Sequence, residues 1–226
     1  MSSTALDSFL DKWRSRWPEW SVAAPFVAES QREIAVAWFA LLQEFDDMLN
    51  TGGDPLPADA KLAWWGEELR DWSRRRSRHP LGRVLEPVQA PWEVLADALP
   101  GLTLMRSLPE SPDAALPLVM PLAGAIQRVE AALFPGARAP APLEPLAVQL
   151  LFLRWMEVPP HADTFGWRDA LLARWPARVG GPRPRRLIAA LLRLRLAGLH
   201  ADAQGSTPAR PARLVWTAWR AASGGH

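Results

Sequence analysis

The chain repeats its apolar residues at helical spacing in every long segment, and no run alternates as a half-buried strand would. Over residues 31–50, Trp38, Leu42, Phe45 and Leu49 fall on one stripe. Gly52, Gly53, Pro55 and Pro57 break that pattern, because glycine loosens and proline obstructs a helical backbone. Residues 58–76 resume it, with Leu62, Trp65, Leu69 and Trp72 on one face and charged residues on the other. Two such stripes joined by a short break predict helices that pack as antiparallel neighbours. "HPLGRVLEPV" and "PWEVLADALPG" read as shorter, proline-punctuated helices. Residues 113–134 predict a buried helix whose small side chains admit close neighbours. After the linker "PGARAPAPLEP", "LAVQLLFLRWMEV" predicts another largely buried helix, and arginine-bearing helices around 185–203 and 208–222 close the chain. Seven or eight helices with short connections imply one all-α domain over residues 1–226, a helical bundle.

Composition narrows the chemistry. The 226 residues are 49% apolar, enough for a substantial core in one domain. With no cysteine there is neither a disulfide framework nor a thiolate zinc site, and four histidines make an imidazole-based metal site a poor expectation. The formal net charge is +2 although the sequence pI is about 9.9. Both hold because the chain has no cysteine or tyrosine and only Lys12 and Lys61, so little titrates between neutral pH and the pI. The high pI reports missing buffering groups, and arginine clusters carry correspondingly little weight. The N-terminal "MSSTALDSFLDKWRSRW" lacks the apolar core of a signal peptide. "ALPLVMPLAGAI" and "PLAVQLLFL" are read as too short to span a bilayer, the first being interrupted by prolines. These features predict a soluble, cytoplasmic protein with no transmembrane segment.

At about 100° per residue, Asp46 sits at the edge of the first apolar stripe, Asn50 lies one turn later on the same edge, and Asp47 points away. Asp46 is thereby placed to look into an interior, whereas an acidic helix end facing solvent is the plainer alternative. Trp64 and Trp65 both read as packing residues, Glu67 and Asp71 as a solvated acidic pair, and His79, ahead of Pro80, as part of a turn. "WSRRRSRHP" offers a basic patch, but a net charge near neutrality makes a solvated helix end the better reading than a nucleic-acid surface.

The order "WFALLQEFDDMLN", "KLAWWGEELRDW", "HPLGRVLEPV", with a tail "LVWTAWRAA", resembles the squalene/phytoene synthase family. The resemblance is densest over residues 25–90. That family's first aspartate-rich motif, D-x-x-x-D, corresponds to Asp46, Asp47 and Asn50, and its L-x-W-W-R-x-E-L signature to residues 62–69. The resemblance implies an all-α bundle of the isoprenoid synthase type around a central cavity. It also implies head-to-head joining of two prenyl diphosphates, with Mg²⁺ held between facing carboxylate clusters to neutralise the departing diphosphate. Arg32 and Arg154 become candidate diphosphate ligands, and Trp65 and Trp155 candidate cavity walls. The departures are specific. Asn50 replaces the final aspartate of the first motif. In the counterpart of the second motif, "VQLLFLRWMEV", Gln149, Leu150 and Arg154 match, but Trp155 stands where its first aspartate belongs. The chain is also shorter than the family pattern.

The leading expectation is therefore a truncated squalene/phytoene synthase-like protein with a degenerate Mg²⁺/diphosphate site, little or no catalysis, and a prenyl-lipid-binding or assembly role. A peripheral membrane contact or a protein partner is compatible with that role. The alternative is an active prenyltransferase condensing farnesyl or geranylgeranyl diphosphate, with Glu68 or Glu157 replacing the lost ligands. A third reading is an arginine-rich helical nucleic-acid binder.

Overall fold

A computed structural model describes residues 4–50, 55–157, 164–199 and 211–224, with the side chains of Asn50, Thr164 and Phe165 outside that description. The described residues are all-helical and contain no strand. The helices are α1 (Ala5–Arg16), α2 (Trp20–Ala23), α3 (Glu29–Asp47), α4 (Leu56–Ser73), α5 (Gly82–Leu85), α6 (Trp92–Ala98), α7 (Pro112–Leu133), α8 (Leu143–Glu157), α9 (Thr164–Arg174), α10 (Arg183–Ala197) and α11 (Pro211–Ser223). Short 3₁₀ turns follow α3 (Met48–Asn50) and α6 (Leu99–Met105). α10 ends at Ala197, where Gly198 caps it, short of the expected 203, and the expected start of the last helix at 208 lies outside the described residues.

Local chemistry accounts for the helix starts. The Thr4 hydroxyl accepts the Asp7 amide at 3.2 Å while the Asp7 carboxylate accepts the Thr4 amide at 2.9 Å, a reciprocal cap that opens α1. Ser111 caps α7 by accepting from the Ala114 amide, with Pro112 at the first helical position, where a missing N–H costs nothing. Pro117 and Pro121 lie inside a 22-residue helix that matches the one expected over residues 113–134. Each withholds one amide from a carbonyl a turn earlier without ending the helix. By length and composition α7 could cross a bilayer, which the sequence reading had excluded. Here one face of it, including Val119, Ile126 and Val129, is buried against α8, α6 and the Leu99–Met105 turn.

A single apolar cluster runs from Leu10 to Ala218. At its centre, aromatic rings form a chain: Trp38 lies 6.3 Å from Trp92, Trp92 5.1 Å from Trp72, Trp72 6.3 Å from Trp65, and Trp65 5.5 Å from Phe45. α3 and α4 meet through side chains, Phe45 against Trp65 and Lys61 against Glu44, with fewer close backbone approaches than α3 has with α1 or α4 with α6. Rings such as Phe45 and Trp65 meet edge to face between α3 and α4, and their bulk holds the two backbones apart.

The most enclosed polar contact joins four helices. Arg185 of α10 and Glu130 of α7 are 2% and 0% exposed, and Arg185 Nε donates to both carboxylate oxygens at 2.9 and 3.1 Å. Trp38 Nε1 of α3 adds a donor to Glu130 at 2.7 Å, while Arg185 Nη1 reaches Gln149 of α8 at 3.2 Å. The guanidinium also lies 5.2 Å from the centre of the Phe39 ring. A buried charge stripped of its partner costs far more than the pair contributes. Glu130→Leu or Arg185→Met alone is therefore expected to lower urea-unfolding stability by about 3–5 kcal/mol, and the double variant by less than either single one. Additive losses in the double variant would count against a paired role.

Candidate functional site

The acids of the first motif occupy the last turn of α3, and the chain itself supplies their counter-charges. Lys12 and Arg16 are one turn apart on α1, which lies along α3. Lys12 Nζ stands 2.8 Å from Glu44 Oε1 and 2.8 Å from Asp47 Oδ2. Lys61 Nζ of α4 approaches Glu44 Oε2 at 3.3 Å, so both lysines of the chain end on one carboxylate. Arg16 reaches Asp47 at 3.5 Å with one nitrogen and pairs with Glu157, at the end of α8, through another. Gln43 Nε2 donates to Asp47 at 2.9 Å. Burial works against the charge on Lys12, but hydrogen bonds to Asp47 and Glu44 outweigh it and raise that amine above the ordinary lysine value.

Asp46 faces the other way, as its position at the stripe's edge predicts. It lines a cavity of about 40 Å³ with Phe45, Leu49, Leu122, Leu150 and Arg154. Arg154 is 5% exposed and donates to the backbone carbonyls of Met105 and Arg106 at 2.7 Å each, and to that of Leu49 at 3.4 Å. Its guanidinium thus knits the Leu99–Met105 and Met48–Asn50 turns to α8. Among the described residues nothing donates a hydrogen bond to the Asp46 carboxylate. The crowded apolar surroundings push its pKa up to about 6, against the pull of Arg154 and Arg16 and with help from Asp47. The group can carry or release a proton near neutral pH, in a space sized for water rather than an organic ligand.

The other sequence candidates fall elsewhere. Arg32 is exposed at the start of α3 and donates to the Val27 carbonyl at 3.1 Å. Fourteen residues separate it from Asp46, ~21 Å along a helix, so it does not share the cavity. Glu68 is fully buried but its oxygens are engaged. It accepts the amides of Arg78 and His79 at 2.6 and 2.8 Å, Trp72 Nε1 at 2.9 Å and Arg78 Nε at 3.1 Å. Burial raises its pKa, and these bonds more than reverse that, leaving it lowered. Glu68 therefore anchors the turn before Pro80, and the glutamate in the "WWGEEL" segment serves folding. Glu157 is held by Arg16 on the α1 side. Trp65 and Trp155 are buried outside the cavity: Trp65 stands in the aromatic chain, and Trp155 packs 6.3 Å from Phe152. Trp64, expected in the core, is 37% exposed. The side chain of Asn50 lies outside the described residues. Sequence reasoning missed Lys12, Arg16 and Glu44; the capping pattern Thr4–Asp7 was the available sign that a helix carries the two cations together.

Among the described residues no three carboxylate or imidazole side chains converge in a way that would hold a metal ion. Glu44, Asp47 and Glu157 already face lysine or arginine, and Asp46 points into a separate cavity beside Arg154. Comparisons with protein-family models, curated proteins and solved structures returned no match.

A carboxyl whose folded pKa exceeds its unfolded value holds its proton more tightly when folded. Its relative contribution is most favourable below about pH 4 and is lost as pH rises through about 6. The rise from 3.8 to about 6 is worth up to ~3 kcal/mol. Asp46→Asn is accordingly expected to stabilise the protein by about 1–3 kcal/mol at pH ~7.5 and to give no gain near pH ~4, read from urea midpoints. A pH-independent effect would contradict the assigned environment.

Proposed function

We propose that the protein is a squalene/phytoene synthase-like helical protein that does not perform head-to-head condensation and acts by binding, in an assembly role. The observation that carries this reading is the internal neutralisation of Asp47 and the acids beside it: Lys12, Lys61 and Arg16 take the places around Glu44, Asp47 and Glu157 that diphosphate-bound cations would need. Releasing a diphosphate from an allylic carbon requires concentrated positive charge on the departing oxygens, and carboxylates already satisfied by ammonium and guanidinium groups cannot recruit it as Mg²⁺.

The cavity supports the same reading. Pockets that enclose organic ligands measure roughly 300–1,000 Å³, whereas the space beside Asp46 is about 40 Å³. A prenyl chain finds no room in the space beside Asp46 between α3, α7 and α8. Purified protein incubated with Mg²⁺ and farnesyl or geranylgeranyl diphosphate is expected to release no pyrophosphate above the rate without protein. Sustained release, with a coupled hydrocarbon product, would overturn the proposal.

A further inference from the structure

From Leu171 onward the sequence carries arginines throughout and a single acid, Asp202. The charge is local, since the whole chain is only +2. α11 is the last element of this acid-poor region, and it turns an unusual face to the body. Ala218, fully buried, and the half-buried Leu214, Ala221 and Ala222 pack towards α10 and α2. Val215, Trp216 and Trp219 stand outward at 48%, 56% and 48% exposure. The two indoles stack on each other, with centres 5.0 Å apart and planes 28° from parallel. An ordinary amphipathic helix buries its large apolar side chains and exposes its small ones; α11 does the reverse.

Beside the indoles lies a groove of about 240 Å³ lined by Arg178, Arg186, Arg193, Arg213 and Arg220 together with Trp216, and by no acid. Arg186 fastens α11 in place: its guanidinium donates to the carbonyls of Ala221, Ala222 and Gly181 at 2.8–2.9 Å. Arg193 is tied to the Trp175 carbonyl at 2.8 Å. Arg178, Arg213 and Arg220 have no ion-pair partner among the described residues. The result is a rigid apolar ridge next to a shelf of unpaired positive charge.

A matching surface must offer an apolar layer and diffuse negative charge side by side, and the edge of an anionic bilayer does so. Tryptophan settles at headgroup level, and arginine meets the phosphates just above it. We propose that this face docks the protein on an anionic membrane surface, with α11 lying in the interface plane, Val215, Trp216 and Trp219 inserted, and Arg178, Arg213 and Arg220 on lipid phosphates. The inference does not depend on the prenyl-related reading, because it uses none of the residues around Asp46.

Flotation of the full chain with vesicles tests it. Vesicles of phosphatidylcholine mixed with phosphatidylglycerol should carry the protein upward, phosphatidylcholine alone should not, and added salt should weaken the association. Trp216→Ser/Trp219→Ser should lower partitioning at least tenfold with an unchanged circular dichroism spectrum. Arg213→Gln/Arg220→Gln should lower it roughly five-fold per charge and flatten the salt dependence. Leu104→Ser, at another exposed apolar residue (59% exposed), should leave it intact. Absence of flotation with the anionic vesicles would overturn the proposal, as would equal binding by the double tryptophan variant. Tryptophan-dependent binding of a single-stranded oligonucleotide without vesicle binding would assign the face to nucleic acid instead.

Discussion

The buried pair of Arg185 and Glu130 is the contact on which the arrangement of the long helices depends. A charge taken out of water is tolerated only if its partner and the remaining hydrogen-bonding positions are in register. Here that register involves Trp38 from α3, Glu130 from α7, Gln149 from α8 and Arg185 from α10. Apolar packing alone would allow these helices to slide and repack at small cost. The ion pair does not, since a shift of one turn would leave a carboxylate or guanidinium unpaired in the core. The enclosure is not complete: Gln149 Nε2 and the indole nitrogens of Trp20, Trp65 and Trp175 are buried without partners among the described residues. Those are the places where tryptophan-rich packing has been favoured over polar satisfaction.

The same logic, applied to exposed charges, shapes the acidic end of α3. Mobile metal ions and tethered ammonium groups both neutralise carboxylates, but they differ in what they leave free. A metal keeps coordination positions for a substrate. Lys12, Lys61 and Arg16 keep none, and they hold α1, α4 and α8 against the end of α3. Charge that could serve chemistry is here committed to holding helices together. Asp46 alone escapes, and its isolation beside Arg154 leaves it a titrating group without a second carboxylate to work with.

Much of the helical framework was legible because periodic apolar stripes report local structure: α3, α4, α7 and α8 are all visible in the spacing of residues such as Trp38, Leu42 and Phe45. What the stripes cannot report is which ring fills the space between two helices. The separation of α3 from α4 by Phe45 and Trp65 therefore went unseen, as did the exposure of Trp64. In α7 the surrounding helices hold together a segment that Pro117 and Pro121 would weaken in isolation. At the site, the position of Asp46 followed from helical geometry. The pairing of Asp47 with Lys12 joins residues far apart in sequence, and no local pattern encodes it. Glu68 illustrates the remaining difficulty: a glutamate in a suggestive motif can be there to hold two backbone amides of a turn.

The convergence of Lys12 and Lys61 on Glu44 has a practical corollary for amine chemistry. Their side chains remain about half accessible, at 56% and 51%, and no other lysine exists in the chain. Among side-chain amines, acylation, reductive methylation or cross-linking can therefore report on only one place, the junction of α1, α3 and α4. Acylation also discharges these amines, so acylating the protein and loosening that junction are the same event, whereas reductive methylation keeps the charge.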